Sequence, residues 1–563
     1  MDFEVSIGRM EELDWRKATD LFYTKLPFGF VSDLLRDAYK QWIPQIPVAI
    51  FSGTGTGKNT FIENILIPYA VAENASILLL SNRVALGRQE KRRLCGLFGL
   101  ERQLDDYTDQ GLDKFTKIAN LRVISYQQLG AWINYSSGEL RELIKEEFLF
   151  VVIDEAHFFT ADCGFNAFSD MVLHFITQNF RSAIRIYMTA TPDVIFPVLR
   201  HKDGLRGWGP RYNCLQEYFC WRVYEFEPDF SYIHAFGFDT DEDLIDIIRN
   251  STQKWLIFCE SVRHGQELVD SIGTDSVLVT AASKDSKADG YATYHEIVNT
   301  EQYSARILIT TAVLENGLNL KDRKLENVVI YSNDKTRFQQ MVGRVRRMEG
   351  KTLNVYIPDV DEKSAVQNLN RTERLLRACE KFSVDPTEFF EFYLKDPQPI
   401  CNVKGAVTIL HDSRAHLNKL FPLKLWYSDL VFWRKIVANY ELGQAFPVLE
   451  EKFKWLDQTF FPSCIVGIAQ RENAIKQLEL FLTQHISTDI VKEKQSEFRE
   501  QFSDLYREAY GRRRDEKGNG AYGLNVIKKL LEEQKIPYQI ENPRTGWRII
   551  RREEAHGTAG DTV

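Results

Sequence analysis

Nowhere in the 563 residues do apolar side chains run on for the roughly 18 positions that a membrane-spanning helix requires, so a membrane protein of that kind is not expected. The N-terminal MDFEVSIGRMEELDW lacks the basic n-region and the apolar h-region of a secretory signal, and no export is expected. Cysteine is sparse: eight residues lie scattered without one C-x-x-C pair, which argues against a zinc site or a disulfide framework and for a reducing, cytoplasmic setting. An excess of positive charge is also missing. With a net charge of −8, a nucleic-acid partner must be met by a local basic groove rather than by the whole surface. No repeat of solenoid period is present.

What the chain does have is 44% hydrophobic and 27% charged residues, the balance of a globular protein, and length for roughly two to four domains. Between residues 48 and 358 short Ile/Val/Leu-rich runs alternate with longer amphipathic stretches: VAIFSG, ILLLSN, LRVISY, FLFVVIDEA, AIRIYMTAT, then WLIFCES, SVLVTAA, ARILITTAV, NVVIYSN and LNVYIP. Continuous rather than alternating hydrophobicity marks strands buried on both faces, as in parallel sheets with crossover helices. Ten such strands exceed one ordinary sheet, and the loop-like stretch HKDGLRGWGPRYN falls between the fifth and sixth. The expected organisation is an N-terminal extension (1–45), two α/β domains (46–215 and 216–365), a helical, aromatic-rich region (366–510), a winged-helix-like module (511–555) and a disordered tail (556–563).

Two stretches carry chemistry. SGTGTGKNT (52–60) follows a buried strand and precedes a helix; Gly53, Gly55 and Gly57 let the backbone curl so that its N–H groups point at phosphate oxygens, with Lys58 placed for the β- and γ-phosphates. Thr54, Thr56, Asn59 and Thr60 complete the loop as nucleotide-binding candidates. The alternative is a Gly-Thr turn that binds nothing. In VVIDEAH, Asp154 and Glu155 stand at the end of a second apolar strand, where one carboxylate suits Mg²⁺ through its water shell and the other suits activation of the attacking water.

With both stretches in place, the chain resembles a superfamily 2 helicase of the DEAD/DEAH-box type over residues 45 to 360, DEAH being motif II as it stands. SNRVAL (81–86), SYQQL (125–129), TAT (189–191), LIFCES, TTAVLENGLNL (310–320) and QMVGRVRR (340–347) follow in the family's order. The resemblance implies two tandem RecA-like domains that bind ATP and Mg²⁺ and act on nucleic acid, DNA being favoured slightly over RNA. It implies catalytic roles for Lys58, Asp154, Glu155, His157, Gln340, Arg344 and Arg347, the last two as arginine fingers that share a helix face three residues apart. In motif V it implies Glu315, Gly317 and Asn319 near the ribose side of the nucleotide. Arg83, Ser125, Thr189 and Thr311 are assigned to the bound strand, with a solvated arginine as the alternative for Arg83.

The sequence departs from the pattern at Asn59, where a hydroxyl usually ligates Mg²⁺; an amide oxygen is also a hard-cation ligand, on a longer side chain, and a weak but functional Mg·ATP site is expected. Motif VI carries Arg346 where many relatives have glycine, and Gln41 is the candidate for an adenine-reading glutamine. Beyond the core, the GRRRDEKGNG loop (511–520) and a hairpin with Arg544, Trp547, Arg548, Arg551 and Arg552 combine cations with an aromatic, as a duplex-contacting wing or as a solvated hairpin. The C-terminal region is also where a protein partner is expected.

Overall fold

The computed structural model describes residues 15–18, 20–82, 84–100, 115–203, 221–311, 320–346, 350–394, 405–486, 489–510, 520–534, 536–542 and 546–551. The chain divides into two compact units, one of residues up to Ala235 together with Thr252–Thr459, the other of Phe236–Ser251 and residues from Phe460 onward.

The first unit contains two mainly parallel sheets. One is built from β1 (Leu21–Leu26), β2 (Val48–Phe51), β3 (Ile77–Ser81), β4 (Lys117–Ile118), β5 (Leu121–Ser125), β6 (Phe150–Ile153), β7 (Ile184–Thr189) and β8 (Trp221–Phe226), in the order β1-β8-β2-β7-β6-β3-β5-β4. All pairs are parallel except β4 with β5. In β2, β3 and β6 every residue is buried, which is why these read as unbroken apolar runs. The other sheet orders β11 (Ser276–Val279), β12 (Ile307–Thr310), β10 (Lys254–Phe258), β13 (Leu325–Ile330) and β14 (Leu353–Pro358), with the first residues of β9 (Ile233–Phe238) at its edge.

Four strands of the two sheets are not among the ten predicted: the two-residue β4, and β1, β8 and β9. β1, β8 and β9 show mixed burial, with interior and exposed positions interleaved, so none reads as a buried run. Their placement corrects two boundaries. β1 lies within the stretch read as an N-terminal extension, yet it pairs with β8 in the first sheet. β8 lies beyond residue 215 and pairs with β2, so the first domain runs on to Phe226 rather than ending at 215.

After the second sheet comes a helix, Glu362–Val384, capped by Asp361, whose carboxylate accepts from the Ser364 N–H at 2.6 Å. Its stripe of Leu376, Cys379 and Phe382 belongs to the same hydrophobic core as Phe159, Leu173 and Trp221 of the first domain, as do Leu420, Phe421 and Leu425 further on. The aromatic-rich region is therefore not a separate bundle up to 510: its first part, as far as Leu430, shares the core of the first domain, and the residues to Thr459 belong to the same unit. Asn418 fixes the join, donating from Nδ2 to the Asn166 carbonyl at 2.6 Å and to Ser169 Oγ at 2.7 Å.

The second unit contains the helix Asp241–Arg249 and, after Phe460, the helix Ile468–Gln484, strand β15 (Asp489–Ile490), helices Gln495–Tyr510 and Leu524–Glu533, and strands β16 (Tyr538–Glu541) and β17 (Trp547–Arg551), with sheet order β15-β17-β16. Helix, strand, helix, helix, strand, strand, with the first strand beside the last, resembles winged-helix order, and these elements begin at Ile468, ahead of the expected boundary at 511. One core of Phe481, Phe498, Phe502, Tyr506, Ile527, Leu531 and Ile549 holds them together. The whole is an α/β chain of two tandem RecA-like sheets followed by a mainly helical C-terminal region.

Candidate nucleotide site

The loop after β2 turns on Gly55 (φ 78°) and Gly57 (φ 77°), both in the left-handed region that glycine enters without strain. Thr56 closes it by donating to the Gly53 carbonyl at 2.8 Å, and the Val31 N–H holds it from behind through the Thr56 carbonyl at 2.9 Å. Lys58 opens the following helix; its buried Nζ donates to the Ser52 and Gly53 carbonyls, both at 3.0 Å, so the ammonium lies inside the curl of the loop. Asn59 and Thr60 are exposed on the first helical turn.

β6 lies one strand away from β2, with β7 between them, so Asp154 and Glu155 emerge beside the loop. Glu155 has φ 51°, a left-handed conformation that costs a non-glycine residue on the order of 1–3 kcal/mol and is tolerated where the surroundings fix it. The Ala156 N–H donates to the Met188 carbonyl at 2.8 Å, and the Tyr126 hydroxyl to the Asp154 carbonyl at 2.6 Å. Burial and the neighbouring Glu155 charge push the Asp154 carboxyl up to about 7. Glu155 is buried too, which by itself would raise it, but the positive groups of Lys58, His157, Arg344 and Arg346 hold it below its ordinary value. Asp154 Oδ1 and Glu155 Oε2 accept no hydrogen bond among the described residues.

His157 joins this pair to the end of β7. Its Nδ1 lies 3.2 Å from Thr189 Oγ1 and 3.4 Å from Glu155 Oε2, and Thr189 Oγ1 also accepts from the Thr191 N–H at 3.1 Å. Thr189 is fully buried. That corrects its assignment to a bound strand: the side chain links the DEAH and TAT segments inside the domain.

The second domain meets the loop through the helix Lys335–Arg344 and the segment after it. Thr54 Oγ1 donates to the Gly343 carbonyl at 3.2 Å, and a Cβ on Gly343 would come within 2.8 Å of Thr54 Cγ2. Gln340 is buried; its Oε1 accepts from Arg344 Nη2 at 3.4 Å while its Nε2 has no hydrogen-bond partner among the described residues. The helix stops at Arg344. Val345 is extended, and Leu320 both donates to the Arg344 carbonyl and accepts from the Arg346 N–H, at 2.8 and 3.0 Å. The helix on which a shared face for Arg344 and Arg347 depends thus ends at Arg344, and Arg347 lies outside the described residues, as do Arg83, Glu315, Gly317 and Asn319.

Two ion-pair groups, neither foreseen from motif spacing, meet the N-terminal end of the motif VI helix. Asp193, two residues past TAT, takes Lys335 of the second domain at 2.6 Å and Arg16 at 2.9 Å, while Arg16 also holds Glu225. The neighbouring Asp334 caps the helix through the Arg337 N–H at 3.0 Å and pairs with Lys424 of the accessory region at 3.3 Å. Ser125 is spent in part as the N-cap of Tyr126–Tyr135, accepting from the Gln128 N–H at 3.1 Å, and Thr311 is half-buried. Gln41 is exposed on the short helix Ala38–Gln41. In the second unit Trp547 is buried in the core, so it is not an exposed wing aromatic; Arg551 is exposed, Arg548 half-buried, and Arg544 and Arg552 lie outside the described residues.

The donor set fits a magnesium nucleotide. A glycine-shaped loop with a lysine in its curl faces two buried carboxylate oxygens that, among the described residues, have no donors, and Gln340 Nε2 and Arg346 Nη1 are buried donors with no acceptors among them.

Residues 36–194 match the family model described as type III restriction enzyme, res subunit, and residues 239–349 match the helicase conserved C-terminal domain. No curated protein matches the chain. Among solved structures it is similar to the helicase MrfA bound to DNA and AMPPNP (13% identity, TM-score 0.41, covering 64% of this chain and 50% of that one). It is similar also to the Escherichia coli DEAH/RHA helicase HrpB (14%, 0.38, 60% and 43%) and to the Mycobacterium smegmatis helicase Lhr bound to ssDNA and AMP-PNP (14%, 0.39, 61% and 49%). The chain thus spans about half the length of these structures. Two helicase-type domain matches, in order along the chain, support a superfamily 2 helicase, while its placement in the DEAH branch rests on the four letters 154–157 alone.

Proposed function

We propose that the protein is a nucleic-acid-stimulated ATPase that moves along or unwinds nucleic acid, DNA more readily than RNA. The observation that carries this is convergence: a phosphate-type loop, a strand-end carboxylate pair and the motif VI glutamine and arginine meet where the two RecA-like domains touch, through Thr54 and Gly343. Mg²⁺, held by Asp154 and by Asn59 or water, would neutralise phosphate charge. Lys58 and the loop N–H groups bind the phosphates, and Glu155, ionised by the cations around it, takes the proton of the attacking water.

Arg344 and Gln340 come from the other domain, so the site is complete only when the domains close. Hydrolysis and reopening would then move whatever is held across both, with Ser125, Thr311 and Arg83 on the strand side. The winged-helix-like module is the proposed contact for duplex or for a protein partner. Steady-state ATPase with single-stranded DNA, duplex DNA and RNA, beside a strand-displacement assay, tests the reading. Stimulation by one polymer, abolished in Glu155→Gln, is expected; turnover indifferent to every polymer and to that substitution would sink it.

A further inference from the structure

Arg346 has so far entered only through its charge near Glu155 and its unmet donor, yet it also reaches the phosphate loop. Because the helix ends at Arg344, the chain beyond it is extended, and side chains there alternate: Val345 is buried and Arg346 faces the other way. Its Nη1 lies 2.8 Å from the point a Cβ on Gly55 would occupy, and its guanidinium carbon 3.8 Å from it. Gly55 is therefore fixed twice, by its positive φ and by the cation above it. Nη1 is shut off from water and has no hydrogen-bond partner among the described residues.

A buried guanidinium N–H with nothing to donate to is costly, and what satisfies it best is a phosphoryl oxygen, which accepts from a planar cation in charge-assisted bonds. The acidic groups that its field reaches are Glu301 first and then Glu155, the latter belonging to the site. The loop's own N–H groups take the inner phosphate, which leaves the outer end of a triphosphate as the anion within reach of a group standing over Gly55. We propose that Arg346 is a phosphate-contacting residue that distinguishes nucleoside triphosphate from diphosphate, supplying charge where Asn59 gives the metal a weaker hold than a hydroxyl would. This rests on the reading of residues 52–60 as a nucleotide loop.

The test is fluorescence titration of the full chain with labelled ADP and a labelled non-hydrolysable ATP analogue, in the presence of Mg²⁺. Arg346→Gln should weaken the triphosphate analogue on the order of 10-fold to 100-fold and leave ADP within about twofold, as loss of a charged hydrogen bond to one phosphate predicts. Arg346→Lys should recover part of the loss, and adding Asn59→Thr should shrink it, since the two would share one charge. Equal affinities in wild type and Arg346→Gln, or an equal loss for both nucleotides, would overturn the proposal. Lys58→Ala separates the two readings: if wild type binds nucleotide and Lys58→Ala does not, the loop stands whatever Arg346 does, and if wild type binds neither nucleotide, both readings fall.

Discussion

Replacing Lys452 with methionine is expected to stabilise the first unit near neutral pH, by an amount that shrinks as the solution is made alkaline. Lys452, on the helix Pro447–Lys454, is fully buried, and its Nζ has no hydrogen-bond partner among the described residues. Burial pushes its pKa down to about 8 against the opposing attraction of Glu260 and Asp359, the charged groups that face it. In the unfolded chain a lysine titrates near 10.4. Between about pH 8 and 10.5 unfolding therefore takes up a proton, and stability rises with pH across that window. A gap of roughly two and a half units corresponds to about 3 kcal/mol, present as a penalty at pH 7 and relieved by about pH 10.5, where only the smaller cost of a buried neutral amine remains. Methionine keeps the length of the stem without the charge. Urea unfolding of both proteins at pH 7, 8, 9 and 10, followed by tryptophan fluorescence, isolates the effect, because all other titrations cancel in the difference. A difference that stays constant over that range, or a variant less stable at pH 7, would show that Glu260 and Asp359 hold the ammonium as a working ion pair and would refute the reasoning.

The same substitution at Lys424 should have the opposite sign. Lys424 lies between Asp429 at 2.8 Å and Asp334 at 3.3 Å, all three less than a quarter exposed, so Lys424→Met strands two acids and should cost about 3–5 kcal/mol in urea unfolding, part of it regained in the double variant with Asp429→Asn. Gly343→Ala puts a methyl group against Thr54 and should lower polymer-stimulated ATPase at least about tenfold with the circular dichroism spectrum unchanged, and Thr54→Ala should restore part of the rate. Thr189→Val keeps the volume but removes the partner of His157 and of the Thr191 N–H; nucleotide affinity should hold while stimulated turnover falls several-fold, and an unchanged rate would mean that the link between the two segments is only structural.

How far the sequence could be read depends on which pattern each residue obeys. Strands buried on both faces announce themselves, and all ten of the predicted runs are strands of the two sheets. β1, β8 and β9 stay hidden because their buried positions are broken up by half-buried or exposed ones, and such short mixed runs are shared by many surface segments. The aromatic-rich helices were legible as helices, but no local pattern says which surface they cover; that Phe382 and Phe421 complete the first domain's core is a fact of long-range packing. Trp547 shows the same limit, since an aromatic among arginines in a hairpin fits an exposed wing or a core strand equally well, and burial decides it. At the candidate nucleotide site the motif letters point to Lys58 and Glu155, whose charges act on each other, and to Gln340, which bonds Arg344. Helical spacing is less readable: the motif VI helix ends at Arg344, because the backbone from 344 to 346 pairs with Leu320 instead of continuing the turn. That local change of conformation is invisible in the letters. It aims at Gly55 the arginine that breaks the pattern.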